Sequence, residues 1–77
     1  MIVHGDGERY VVSAVEGYSI HRGVSGRLTV TYSVLDSHYC YAAVQHFPAL
    51  RASRAVRRRH AAERACDMLN AAERVGA

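Results

Sequence analysis

Over the first two thirds of the chain, apolar and polar residues alternate in the manner of β-strands. The alternation is clearest over 27–35, where leucine, valine and tyrosine occupy every second position. Residues 9–16 are also rich in β-branched and aromatic side chains, and 38–47 form a further candidate strand. Residues 18–22 are either a short separate strand or a continuation of the strand before them, and 23–26 predict a turn.

The segment 53–75 replaces this alternation with an alanine-rich stretch of helical periodicity. One stripe with a spacing near 3.6 residues contains Ala55, Ala62, Ala65, Cys66, Leu69 and Ala72. Ser53 is placed to cap the start of this helix, and Gly76 to end it. Strands followed by one long helix predict a single α+β domain over residues 1–77. In it, an antiparallel sheet of three to four strands carries the C-terminal helix on one face.

The connection between the last two predicted strands decides which face their side chains take. An even, two-residue loop at Asp36–Ser37 would pair Val34 with Tyr39 and Tyr32 with Tyr41, so that both later tyrosines share the buried face. A three-residue loop would reverse every side chain of the last strand. We favour the even loop because it separates apolar from polar residues.

Positive charge is concentrated in the last part of the chain. The net charge is +3, but residues 1–48 carry a net −1, whereas 49–77 carry seven arginines against three acidic residues. All ten basic residues are arginine, and lysine is absent. A GC-rich genome is the simplest cause of this bias. Whatever the cause, a guanidinium can bind phosphate or carboxylate groups through two parallel hydrogen bonds.

Five arginines fall within nine residues at the predicted start of the helix, and no acidic residue interrupts them. They are Arg51, Arg54, Arg57, Arg58 and Arg59. A helix N-terminus already carries partial positive charge, so cations are unfavourable there and acidic residues are expected. We therefore predict an anion-binding surface. The alternative is a solvated charged face in which Glu63 relieves Arg59. The two partner classes are the backbone of a nucleic acid and an acidic protein surface.

The side of the sheet away from the helix is predicted to be polar. Its members are Arg27, Thr29, Thr31 and Ser33 with His38 and Cys40, joined by His21 and Arg22. A three-stranded sheet with a helix behind it can enter the major groove of DNA. This order of elements resembles that of the arm-binding domains of phage-type integrases and of plant AP2 domains. The alternative is that threonine and serine are simply good solvent-facing strand residues.

Histidine and cysteine residues show no spacing typical of a metal or catalytic site. His38 and Cys40 share one face of a predicted strand, but no compact set of four ligands follows, and Cys66 is best interpreted as a small core residue. A core of this size also has little packing to give up for a buried cavity. We expect a protein that is not an enzyme and binds neither metal nor cofactor.

Neither a secretory signal nor a membrane-spanning stretch is evident in the sequence. The first residues lack an apolar segment, no apolar run reaches the length of a spanning helix, and two cysteines are too few for a disulfide framework. These features predict a cytoplasmic protein with no membrane partner. The bacterial host follows only from the resemblance described next.

The alanine-rich tail Ala61–Ala71, which follows a strand that ends at Phe47, resembles the end of small sheet-plus-helix proteins of phages and mobile elements. Anti-CRISPR inhibitors have a similar size and architecture. The resemblance implies inhibition of a host nucleic-acid-dependent system by occlusion. The alternatives are a DNA-binding module that uses the sheet face, with Arg22 and Arg27 on the DNA, and an assembly subunit whose tyrosines and helix bury against a second copy.

Overall fold

The computed structural model describes residues 1–21 and 24–76, and over 18–21 and 24–28 it describes only the backbone. Four strands form one sheet: β1 (Ile2–His4), β2 (Tyr10–His21), β3 (Val24–Asp36) and β4 (Ala42–Ala49). A short 3₁₀ turn over Ala52–Arg54 leads into the helix α1 (Ala55–Gly76). The strands lie in the order β1-β2-β3-β4, and each neighbouring pair is antiparallel. The α+β prediction is confirmed.

Strands β2 and β3 form a long hairpin that is the centre of the sheet. Their pairing runs from Tyr10 opposite Asp36 to His21 opposite Val24. The segment 18–21 therefore continues β2, with one irregularity in the register, and is not a separate strand. Since β3 begins at Val24, Gly26 lies within a strand, where the sequence predicts a turn.

The helix packs on the sheet through small side chains. Val12 and Val34 are fully buried beneath Ala62 and Cys66, and partly buried residues surround them: Val3, Tyr10, Tyr32, Phe47, Ala65 and Leu69. Alanine and cysteine leave room for the helix to approach the sheet closely, so the β-branched side chains fill the space between the two layers.

The predicted positions of Tyr39 and Tyr41 are wrong. The connection after Asp36 spans five residues, with a 3₁₀ turn over Ser37–Tyr39 and left-handed backbone at Cys40 (φ 54°) and Tyr41 (φ 58°). Tyr39 and Tyr41 are therefore 68% and 53% exposed and do not lie under the helix.

Strand β4 consequently begins at Ala42, where the sequence predicts residue 38. Its register also shifts once: Val34 faces Gln45, but the next residue, Leu35, faces Ala43. The helix side of β4 is therefore provided by Phe47, opposite Tyr32, in place of the two tyrosines.

The elements also differ from the predictions at their ends. Strand β1 precedes the predicted strand range 9–47, and β4 continues past it to Ala49. Helical backbone begins at Ala52 with Arg51 as the N-cap residue, so Ser53 lies inside the first turn and does not cap it. Ala72, which the helical stripe places in the core, is exposed.

Asn70 is a buried polar residue that the sequence pattern misses. Its Oδ1 accepts a hydrogen bond from the backbone N–H of Tyr10 at 2.9 Å, and its Nδ2 donates to the carbonyl of the same residue at 2.9 Å. An amide side chain thus pairs with the backbone of β2 as a neighbouring strand would, and it joins the last third of α1 to the sheet.

Candidate interaction surface

The five clustered arginines lie where β4 passes into α1. Arg51 follows the end of β4, Arg54 lies in the 3₁₀ turn, and Arg57, Arg58 and Arg59 occupy the first turn of α1. All five are exposed. The structure therefore brings together the residues that the sequence groups. We refer to these five arginines as the arginine surface.

Acidic side chains neutralise little of the positive charge of the arginine surface. The first turn of α1 contains no acidic residue, and the N-cap side chain makes no capping hydrogen bond. Among the side chains that the structure describes, a carboxylate approaches within 4 Å of only one member, where Arg59 Nε lies 3.8 Å from Glu63 Oε1. The positive end of the helix and the guanidinium groups therefore reinforce each other.

A shallow cleft opens within the arginine surface. It has a volume of about 380 Å³ and is lined by Pro48, Leu50, Arg51, Arg54 and Arg58. Leu50 is 71% exposed, which places an uncovered apolar side chain among three guanidinium groups. The cleft can accept an anionic group together with an apolar one.

Two other candidate residues belong to the hairpin of β2 and β3. Arg27 lies in β3, at a position where only the backbone is described, and Arg22 lies outside the described residues. Their predicted contacts with DNA stay predictions.

The sheet face opposite the helix is more apolar than the sequence predicts. Thr31 and Ser33 pair across the sheet with Val15 and Ser13, and Leu35 pairs with Val11, so strand β2 brings two valines to this face. Val15 is exposed, but Val11 is buried. This face of the sheet therefore carries both polar and apolar side chains.

Two hydroxyl groups of this face are also engaged within the chain. Ser33 Oγ lies 2.7 Å from His46 Nδ1 in a hydrogen bond, and Thr29 Oγ1 donates to the carbonyl of Gly17 at 3.2 Å. Hydroxyl groups that already have partners are less free to read the edges of bases. The arginine surface is therefore the better candidate for binding.

Arg9 has the opposite surroundings to the arginine surface, and the sequence analysis misses its role. Its Nε and Nη2 each donate to a carboxylate oxygen of Asp36 at 3.0 Å, and its Nη1 donates to Glu73 at 2.8 Å. The guanidinium also lies over the rings of Tyr10 and Tyr39, at 5.1 and 5.6 Å from their centroids. These groups join β3 to the last turns of α1.

The Arg9 interactions change the acidity of both partners. The hydrogen bond from Arg9, together with one from the backbone N–H of His38, holds the pKa of Asp36 below its ordinary value against the effect of burial. The same hydrogen bond to Asp36 raises the pKa of Arg9, although burial acts in the opposite direction. Arg9 therefore has a structural role.

The two cysteines differ in their surroundings. Cys40 is exposed in the loop before β4, whereas Cys66 is buried on α1, as the sequence predicts. Burial raises the pKa of the Cys66 thiol, and its S–H donates to the carbonyl of Tyr10 at 3.1 Å. Ligand atoms of His4 and Asp67 lie within 4.8 Å of Cys66 Sγ, a grouping that the sequence analysis misses.

Comparison with known proteins adds no relative. No protein-family model, no curated protein and no solved structure matches the chain. Among the described residues, no helix combines the length and the apolar composition needed to cross a bilayer.

Proposed function

We propose that the chain is a non-enzymatic binding protein whose arginine surface covers an acidic patch on a protein of a nucleic-acid-handling complex. By occupying that patch it inhibits the complex through steric and electrostatic occlusion. The observation that carries this proposal is the cleft, in which Arg51, Arg54 and Arg58 surround the exposed side chain of Leu50.

The mixed chemistry of the cleft favours a protein over a nucleic-acid backbone. Protein interfaces combine an apolar centre with arginine, and the guanidinium forks pair with carboxylates around that centre. A phosphate backbone is recognised mainly through positive and polar groups and offers little to an exposed leucine beside a proline. Leu50 and Pro48 therefore distinguish the two partner classes.

Occlusion also suits a chain of this size. An occluding protein needs a rigid surface and no reactive group, and the packed core beneath α1 supplies that rigidity. The exposed arginines retain flexible stems, so they can adapt to the positions of carboxylates on the partner.

The test compares two double variants with the same change in charge. Arg54→Ala/Arg58→Ala removes two arginines of the cleft, and Arg64→Ala/Arg74→Ala removes two exposed arginines farther along α1. Tagged proteins are recovered from the source cells after nuclease treatment, and affinity is then measured with the purified partner. We expect the cleft variant to bind the partner at least about tenfold more weakly, and the control to bind within about threefold of the wild type.

A DNA titration distinguishes the alternative partner. The protein is added to a fluorescent duplex of mixed sequence at several salt concentrations, and anisotropy is recorded. Phosphate binding would give a steep salt dependence, with a slope that falls by about one for each arginine removed. We expect no binding at low salt. Tight, salt-dependent binding that the cleft variant loses would overturn the protein-partner proposal in favour of a nucleic-acid backbone.

A further inference from the structure

A mixed set of nitrogen, sulfur and oxygen donors lies where β1 meets α1, on a different part of the helix from the cleft. His4, Cys66 and Asp67 each offer one atom, and these three atoms all lie within 4.8 Å of one another. His4 Nε2 is 2.7 Å from Asp67 Oδ1. The Cys66 side chain is fully buried, whereas that of Asp67 is 65% exposed, so the group extends from the core to the solvent.

The local backbone explains how residues so far apart in sequence meet. His4 pairs with Val12 at the irregular end of the β1–β2 ladder, and Gly5 follows with a positive φ of 77°. A Cβ atom at Gly5 would lie 2.6 Å from the carbonyl oxygen of Tyr10 and 3.1 Å from Cys66 Sγ. Glycine thus allows the chain to turn directly over the thiol and brings the preceding histidine beside it.

The second nitrogen of His4 has a partner of the kind that metal-bound histidines use. His4 Nδ1 lies 3.3 Å from Glu63 Oε2, on the turn of α1 before Asp67. In the tautomer that carries its proton on Nδ1, the imidazole donates to Glu63, and the lone pair of Nε2 is available to a metal ion beside Asp67 Oδ1.

We propose that His4 Nε2, Cys66 Sγ and an Asp67 carboxylate oxygen form a three-ligand site for Zn²⁺ or a similar divalent transition metal. Imidazole, thiolate and carboxylate are the donors that Zn²⁺ takes in proteins, at about 2.0–2.3 Å. Two donors bound in this way to one tetrahedral ion lie about 3–4 Å apart, so side-chain shifts of about 1 Å suffice. Glu63 orients the imidazole from behind.

The surroundings of Cys66 can support the thiolate that such a site needs. On metal binding, the thiol transfers its proton to the solvent, its hydrogen bond to the carbonyl of Tyr10 is lost, and a sulfur–metal bond forms. Asn70 Nδ2 lies 3.5 Å from Cys66 Sγ and can still donate to the thiolate. It also retains its hydrogen bond to the Tyr10 carbonyl, so that carbonyl keeps a donor.

The site would fasten the shortest strand of the sheet. Strand β1 has three residues, and its register with β2 places Ile2 opposite Ser13 and His4 opposite Val12. A metal that links His4 to two residues of α1 would add a strong connection between this edge strand and the helix. Metal binding should therefore stabilise the folded protein, since the unfolded chain does not hold the three donors together.

The test titrates Co²⁺ and Zn²⁺ into the full chain, reduced and freed of metal. Co²⁺ bound through sulfur produces a thiolate-to-cobalt charge-transfer absorption in the near ultraviolet, and Zn²⁺ should displace it. We expect this band at one Co²⁺ per chain, a higher melting temperature with Zn²⁺, and tighter binding as pH rises, because the thiol must lose its proton. Absence of the band at millimolar Co²⁺ would overturn the proposal and leave His4 as a structural partner of Glu63 and Asp67.

Single substitutions show which side chains bind the Co²⁺ ion that produces the charge-transfer band. Asp67→Asn alters an exposed side chain and leaves the fold intact, so its expected loss of affinity, about tenfold or more, reports on the ligand itself. Cys66→Ala should abolish the charge-transfer band, with circular dichroism as the check on folding. Cys40→Ser is the matched control, since Cys40 is the exposed thiol. A band that persists in Cys66→Ala or disappears in Cys40→Ser would contradict the site.

Discussion

Arg9 contacts the last turns of α1 and Arg58 lies in its first turn, and the surroundings of these two arginines differ completely. Arg9 is held by two carboxylates and two aromatic rings near the end of α1. Arg58 lies in the first turn, where the described side chains bring no carboxylate within 4 Å of it. The same side chain thus serves as an internal tie at one end of the helix and as exposed charge at the other.

This difference indicates that arginines are not left unpaired throughout the described part of the chain, and that unpaired charge is a feature of the helix start. The molecule pairs Arg9 with Asp36 and Glu73, and Arg74 with Glu8, so it has acidic residues placed to neutralise arginines. At the helix start it places none in the first turn, although the positive end of the helix dipole makes acidic residues favourable there. The described side chains therefore leave most of the charge of the arginine surface uncompensated.

The largest expected effect is the loss of Arg9. Arg9→Gln removes the bidentate partner of Asp36, a carboxylate that is nearly buried, and an unpaired buried charge is strongly destabilising. We expect a greater fall in the free energy of unfolding than for any other single arginine. Arg57→Gln is the control. Chemical denaturation measures the free energy of unfolding of both variants. Equal losses would contradict the distinction between the two ends of α1.

Lowering the pH should reproduce part of the destabilisation that we expect for Arg9→Gln. The pKa of Asp36 in the folded state lies below its unfolded value of about 3.9, so the contribution of this carboxylate is complete above that pH. It is lost as pH falls through the lower, folded value. We expect Asp36→Asn to be less stable at neutral pH and to lose less stability between about pH 5 and 2. Parallel pH curves for variant and wild type would refute the role of this pair.

Substitution of Asn70, an uncharged residue, tests how the last third of α1 is attached to the sheet. Asn70→Ala leaves the N–H of Tyr10 without its acceptor in a partly buried position, which should lower the free energy of unfolding by about 1–2 kcal/mol. Met68→Ala, at an exposed position two residues earlier, should change it by less than about 0.5 kcal/mol. Denaturant titration compares them, and an Asn70→Ala variant as stable as the control would contradict the described pairing.

Local patterns account for what the sequence predicts correctly. The alternation in β3 and the alanine stripe of α1 are set by neighbouring residues, and so is the grouping of five arginines at the helix start. These features need no knowledge of the rest of the chain, because a strand or a helix places its own side chains at fixed intervals.

The failures come from backbone geometry and from distant pairs. Nothing in the residue types marks Cys40 and Tyr41 as left-handed, since glycine is the usual residue there, and this hidden turn reverses the expected position of the tyrosines. Arg9 meets Asp36 and Glu73 across 27 and 64 positions, and His4 meets Asp67 across 63. Periodicity carries no information on such contacts.

The most direct test of the central claim is the stability of Arg54→Gln/Arg57→Gln/Arg58→Gln at low salt. Glutamine keeps a similar helix propensity, so the change reports mainly on charge. If the helix start carries uncompensated positive charge, the variant should be more stable than the wild type by about 0.5–1.5 kcal/mol, and salt should reduce the difference. A loss of about 1 kcal/mol or more would show that the chain itself holds these arginines, and would contradict the account.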